Sequence, residues 1–156
     1  MGTSSSIRIS ERGFLELPAM VDLTATGTGV WVNTGLQVTL PVAGTYHLDA
    51  NVRGVLNATD GTNCWIGARL WDVTAGALVP DSEVLVQQIA LSVSTATPVV
   101  NQAENQHAPI LVPYTIPGSR LVRLQIVKHY SGPNPSAARV QSDANGRTTL
   151  RWERIG

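Results

Sequence analysis

Four alternating residues, His47, Asp49, Asn51 and Arg53, carry the chemistry of a polar site: an imidazole, a carboxylate, an amide and a guanidinium. At a spacing of two they fall on one face of a β-strand, while Tyr46, Leu48, Ala50 and Val52 fall on the other. Such a row could move a proton or hold a polar ligand, provided other groups completed it. The chain supplies no such groups in a recognisable pattern. His47, His107 and His129 sit on an outward strand face, in a loop and at a strand end, with no two at metal-ligand spacing. Asp49, Asp60, Asp72, Asp81 and Asp143 stand singly, mostly in turn-like stretches where aspartate caps its own backbone. There is no nucleophile elbow, and the glycines of GTGV at Gly27 precede a strand and not a helix, so they are no phosphate loop. We therefore expect no catalytic residue, no metal site and no cofactor.

Composition narrows the partners. Hydrophobic residues make up 43% of the 156 and charged residues 14%, which gives ample core material and an unusually uncharged surface, some of it available for covering by other subunits. Eleven basic residues balance eleven acidic ones, which removes the electrostatic drive for binding nucleic acid or an anionic membrane. No apolar run approaches the ~20 residues of a membrane-spanning helix, and the first residues lack a signal-peptide pattern. Cys64 is the single cysteine, so no intrachain disulfide forms. The basic residues are ten arginines and one lysine, Lys128, a skew common in chains of GC-rich bacteria and their phages.

The elements that must position any site read as strands. Glycines and prolines punctuate short apolar runs, the spacing of an all-β sandwich. Runs are expected at FLELPAMVDL (bent at Pro18), Val30 to Val32, LQVTL from Leu36, Tyr46 to Val52, NCWIGARLWDV, EVLVQQIALSV, PILVPYTI, RLVRLQIVKHY and TTLRWERI. Polar stretches at 57–63, 94–108 and 131–146 read as loops. This gives an antiparallel β-sandwich of eight or nine strands over 14–156, behind a polar leader at 1–13 that we expect neighbouring subunits to hold.

Two groups of residues stand out on this frame. Trp31, Trp65, Trp71 and Trp152 all lie in expected strands, so core or subunit interface is preferred over sugar stacking. The NCWIGARLWDV strand is apolar on both faces, which implies a covering layer or a partner subunit and makes Trp65 and Trp71 candidates for a subunit interface. The loops carry Asn101, Gln102, Asn105, Asn134 and Asp143, polar residues that suit contact with a host surface glycan and equally suit plain solvation. Asn57, Ala58 and Thr59 form a sequon that reads as a chance match in a turn.

The order of the pieces resembles the jelly roll of tumour-necrosis-factor-like cytokines and complement heads. In that superfamily a Pro-Gly-x-Tyr turn leads into an inner strand; the matching residues are Gly44, Thr45 and Tyr46, with Ala43 in place of proline. The wording WVNTGLQVTLPVAGTY, RLWDVTAG and TTLRWERIG also resembles phage virion proteins, over roughly residues 28–156. The resemblance implies a jelly-roll homotrimer with Tyr46 near the subunit interface. It further implies a non-enzymatic structural or adhesive component at the virion surface of a tailed phage, made in the bacterial host cytoplasm and contacting other virion proteins. Head fibre or spike base, capsid decoration protein and tail fibre tip are the placements that compete. A free carbohydrate-binding lectin is the alternative, and a polysaccharide-degrading enzyme with an acid pair across a subunit boundary the more remote one.

Overall fold

The computed structural model describes residues 11–92 and 101–156. These residues form eleven strands and no helix: β1 (Arg12–Glu16), β2 (Val21–Asp22), β3 (Trp31–Leu40), β4 (Gly44–Thr59), β5 (Asn63–Asp72), β6 (Ala77–Leu78), β7 (Val84–Ala90), β8 (Asn101–Ile116), β9 (Arg120–Ser131), β10 (Ala137–Val140) and β11 (Thr149–Arg154). All pairings are antiparallel and fall into two sheets. In the first, the order is β1-β11-β4-β10-β2, and β8 covers the other edge of β4 along its full length. In the second the order is β3-β9-β5-β6, with β7 also paired to β5. The fold is an all-β sandwich, as the alternation predicts, of the jelly-roll kind that the resemblance implies. The expected run FLELPAMVDL divides at Pro18 into β1 and β2, while the two-residue β6 and the four-residue β10, which interrupts the expected 131–146 loop, are too short for a period of two to register.

The core lies between the sheets. Inward residues of β4, namely Tyr46, Leu48, Ala50, Val52, Leu56 and Ala58, are fully buried in one cluster with Ile66 and Leu70 of β5 and Leu124 and Ile126 of β9. Each such aliphatic side chain stabilises the fold by about 2 kcal/mol relative to exposure. Lys128 is buried as well, and is held by its ammonium donating to Thr24 O (2.8 Å) and Asn134 Oδ1 (2.9 Å). Burial pushes its pKa below the ordinary lysine value.

Several expected boundaries move. The runs at Val30–Val32 and Leu36–Leu40 are one strand, β3, whose register with β9 shifts between Asn33 and Gln37; Gly35 there adopts φ +86°, which admits the irregularity without ending the strand. The 57–63 loop shrinks to a tight turn at Asp60–Thr62, because β4 runs on to Thr59; the Asn57 sequon is therefore strand and not turn. The 94–108 loop is corrected too. From Asn101 onward it is β8, paired residue for residue with β4, and only residues up to 100 lie outside the described chain. Of the leader at 1–13, residues 1–10 lie outside the described residues, and Arg12 and Gly13 already belong to β1.

Candidate functional site

Alternation along β5 sends Cys64, Ile66, Ala68 and Leu70 into the core and Trp65, Arg69 and Trp71 to the outer face of the second sheet. The register extends that face across β9 and β3. Trp71 pairs with Arg123 and Arg69 with Gln125; on the other side of β9, Gln125 pairs with Asn33 and Val127 with Trp31. Gly67, opposite Val127, has no side chain to raise between Trp65 and Arg69, and a Cβ there would press on Val127 Cγ1 at 3.0 Å. Val127 packs closely over Gly67, and the indole of Trp31, its partner on β3, lies beside Arg69. The Arg69 guanidinium is then held over two rings, 3.9 Å from the centroid of Trp31 and 4.6 Å from that of Trp71.

Polar side chains fix the arrangement. Arg69 Nε donates to Gln125 Oε1 (2.9 Å), and Gln125 Nε2 donates to Asn33 Oδ1 (2.8 Å), a chain of bonds across three strands. Arg123 Nε donates to Gln37 Oε1 (2.8 Å) in the neighbouring row. Trp65 stacks on His129 at 5.0 Å and 15°. Partial burial lowers the pKa of Arg69, an effect that Glu83 opposes. A guanidinium stacked on two half-buried indoles gains about 1 kcal/mol or more per ring and has already lost its rotamer freedom. The surface is therefore pre-ordered within the chain.

The other sequence-predicted residues fall elsewhere. Tyr46 is corrected: it is fully buried inside the sandwich, where its hydroxyl donates to Val42 O (2.9 Å) and its ring meets Trp152 edge-on at 5.5 Å, so it pins the 41–44 turn and cannot touch another subunit. Asn101, Gln102 and Asn105 lie on β8 and not in a loop. Gln102 donates to Glu104, and Asn105 accepts from Arg53 Nε (3.2 Å). Arg53 also donates to Asp143 Oδ1 (2.6 Å) and to Gly146 O (3.1 Å), so the structure does bring Asn105 and Asp143 together, through Arg53, on the outer face of the first sheet. Bonds from Gln141, Arg53 and the Asn145 N–H hold the Asp143 carboxyl down at about 2. Asn134 accepts from Lys128 and donates to Thr24 O (3.2 Å), a structural tie at one end of the sandwich.

His47 and Asp49 keep their outward places on β4, while His129 is on the opposite sheet. Among the described residues no three His, Cys, Asp or Glu side chains cluster as metal ligands would. What the sequence reading missed is Trp31 and Arg69 as parts of one surface with Trp71. The usable signal was Gly67, a glycine inside an otherwise apolar strand, which marks close approach by a neighbour.

No family model and no curated protein matches the chain. Among solved structures, it is similar to a chain of infectious bursal disease virus, Gx strain, at 12% identity and a TM-score of 0.51, covering 99% of this chain and 36% of that one. A chain of the Gt strain of the same virus gives 12% identity and a TM-score of 0.50, with 94% of this chain and 33% of that one covered. The chain thus spans about a third of the length of these viral chains. Eiger TNF from S. frugiperda aligns over 93% of this chain and 85% of its own at 12% identity, with a TM-score of 0.36 that is too low to bear on the cytokine resemblance. What the sandwich shares with the viral chains is its fold.

Proposed function

We propose that the chain is a non-enzymatic structural subunit at the surface of a virus particle of the tailed-phage kind. In this reading the outer face of the second sheet seals copies of the chain into a homotrimer. The observation that carries it is the Trp31–Arg69–Trp71 stack, extended by Trp65 on His129. Tryptophan and arginine dominate the residues whose loss most weakens protein interfaces, because large rigid groups exclude water at small entropic cost. The fold likeness to chains of a virus supports the setting, and the low surface charge supports burial of much of the exterior. Head fibre, spike base, decoration protein and tail fibre tip all suit such a subunit. Antibody labelling of purified particles tests the setting: gold on the particle surface is expected, and particles that carry none of the chain would overturn it.

The same face supports a second reading. Indoles set among amides, with Gln37, Gln125 and Asn33 alongside, have the chemistry to stack on and hydrogen-bond a sugar, which would make the chain a lectin for host surface glycan. Glycan-array binding by the isolated chain, lost on Trp65→Ala, would favour it over the subunit reading.

A further inference from the structure

The outer face of the first sheet carries a different surface. Its cross-strand register sets four residues in one row: Phe14 of β1 beside Arg151 of β11, Arg151 beside Asp49 of β4, and Asp49 beside Leu111 of β8. The two ends of the row are apolar and bare, with Phe14 57% and Leu111 71% exposed. Between them Arg151 and Asp49 form an ion pair. A cleft lined by Arg12, Gly13, Phe14, Arg151, Trp152 and Glu153 opens beside Phe14, at the end of the row opposite the protruding Leu111.

We infer that this face docks a second copy of the chain, face to face about a two-fold axis running along the strands. Such an axis reverses the row. Leu111 of each copy then enters the cleft beside Phe14 of the other, Arg151 faces Asp49, and in the next row Glu153 faces His47, since Arg12, Glu153, His47 and Pro113 are aligned by the same register. The surface is complementary to itself in both shape and charge, as an isologous contact requires. Nine residues each of β4 and β8 with the six of β11 and the five of β1, at ~4.8 Å between strands and ~3.3 Å per residue, give roughly 450 Å² per partner, below the ~800 Å² of a standard interface, so association is expected to be weak on its own. The contact is separate from the trimer surface on the opposite sheet, and the two can fail independently.

Within one chain Phe14 and Leu111 are three strand spacings apart, roughly 14 Å, beyond the span of a short bis-maleimide thiol cross-linker. Mixing full-length Phe14→Cys with full-length Leu111→Cys in the presence of that cross-linker, which spans the ~10 Å between facing sheets, should therefore yield a mixed covalent dimer; Cys64 is buried and takes no part. Phe14→Cys mixed with Leu85→Cys, whose side chain is exposed on the other sheet, should stay unlinked. Arg151→Asp and Asp49→Arg should each weaken self-association by about tenfold or more, and an equimolar mixture of the two should restore it, because opposite charges then meet at both contacts. Equal cross-linking to Leu85→Cys, absence of the mixed dimer, or no rescue on mixing the charge variants would overturn the inference.

Discussion

Asp72 is fully buried at the end of β5 and gathers its partners from three separate segments. Its Oδ1 accepts from the Ala75 N–H (2.8 Å), its Oδ2 accepts from the Tyr114 hydroxyl (2.5 Å), and the Arg120 guanidinium stands 3.6 Å away. Burial first, and then the bond to Asp72, push the Tyr114 pKa up to about 12. A phenol whose pKa is higher folded than unfolded binds its proton more tightly when folded. Its contribution to stability is therefore complete below the unfolded value near 10 and is lost as pH rises towards 12. Tyrosinate absorbance should show a late-titrating hydroxyl, and Tyr114→Phe should remove that step and lower stability at neutral pH by about 1–2 kcal/mol. A Tyr114→Phe titration curve that keeps the late step would refute the assignment. The short-range half of this site was legible, since an aspartate closing a strand before a turn is expected to cap it. The bond to Tyr114 spans 42 residues and leaves no mark in the local pattern. Tyr46 divides in the same way: alternation places it inward correctly, whereas its interface role came from resemblance and fails on its burial.

Elements were legible wherever one face is apolar and the other polar. β4 and β9 alternate against a core and read clearly, and β5 reads as apolar on both faces because its outer indoles are themselves half-buried. The first half of β8 did not read as strand. Its inward-side residues Gln102, Glu104 and Gln106 are polar and bond among themselves at the rim of the core, so hydrophobicity carries no period there, although the backbone still pairs with β4 throughout. Glycines set the tightest element contacts. Gly132, just past β9, has φ +80°, and a Cβ on it would lie 2.2 Å from the Gly61 carbonyl oxygen. Backbone cannot move aside as a flexible side chain can, so Gly132→Ala should cost about 2–3 kcal/mol in denaturant unfolding. Gly118→Ala, with nothing within 4 Å of the added carbon, should stay within about 0.5 kcal/mol of the parent chain. Equal midpoints for the two variants would contradict the contact between β9 and the Asp60–Thr62 turn.

For the molecule as a whole, the sandwich offers two outer faces of different character. One is a pre-ordered aromatic and guanidinium surface, the other an ion-paired row with apolar ends. Sequence could suggest that Trp65 and Trp71 were outward, but the surface itself exists only once β3, β9 and β5 are side by side and Trp31 reaches Arg69. A subunit built to assemble needs such contacts in more than one direction, and the near-absence of net charge keeps copies from repelling one another. Light scattering on the size-fractionated chain, over a wide concentration range and alongside Arg69→Glu, tests the assembly reading most directly. A trimeric mass for the parent chain, falling to smaller species in Arg69→Glu while circular dichroism stays unchanged, is expected. A monomer at every concentration, or a trimer indifferent to Arg69→Glu, would contradict it.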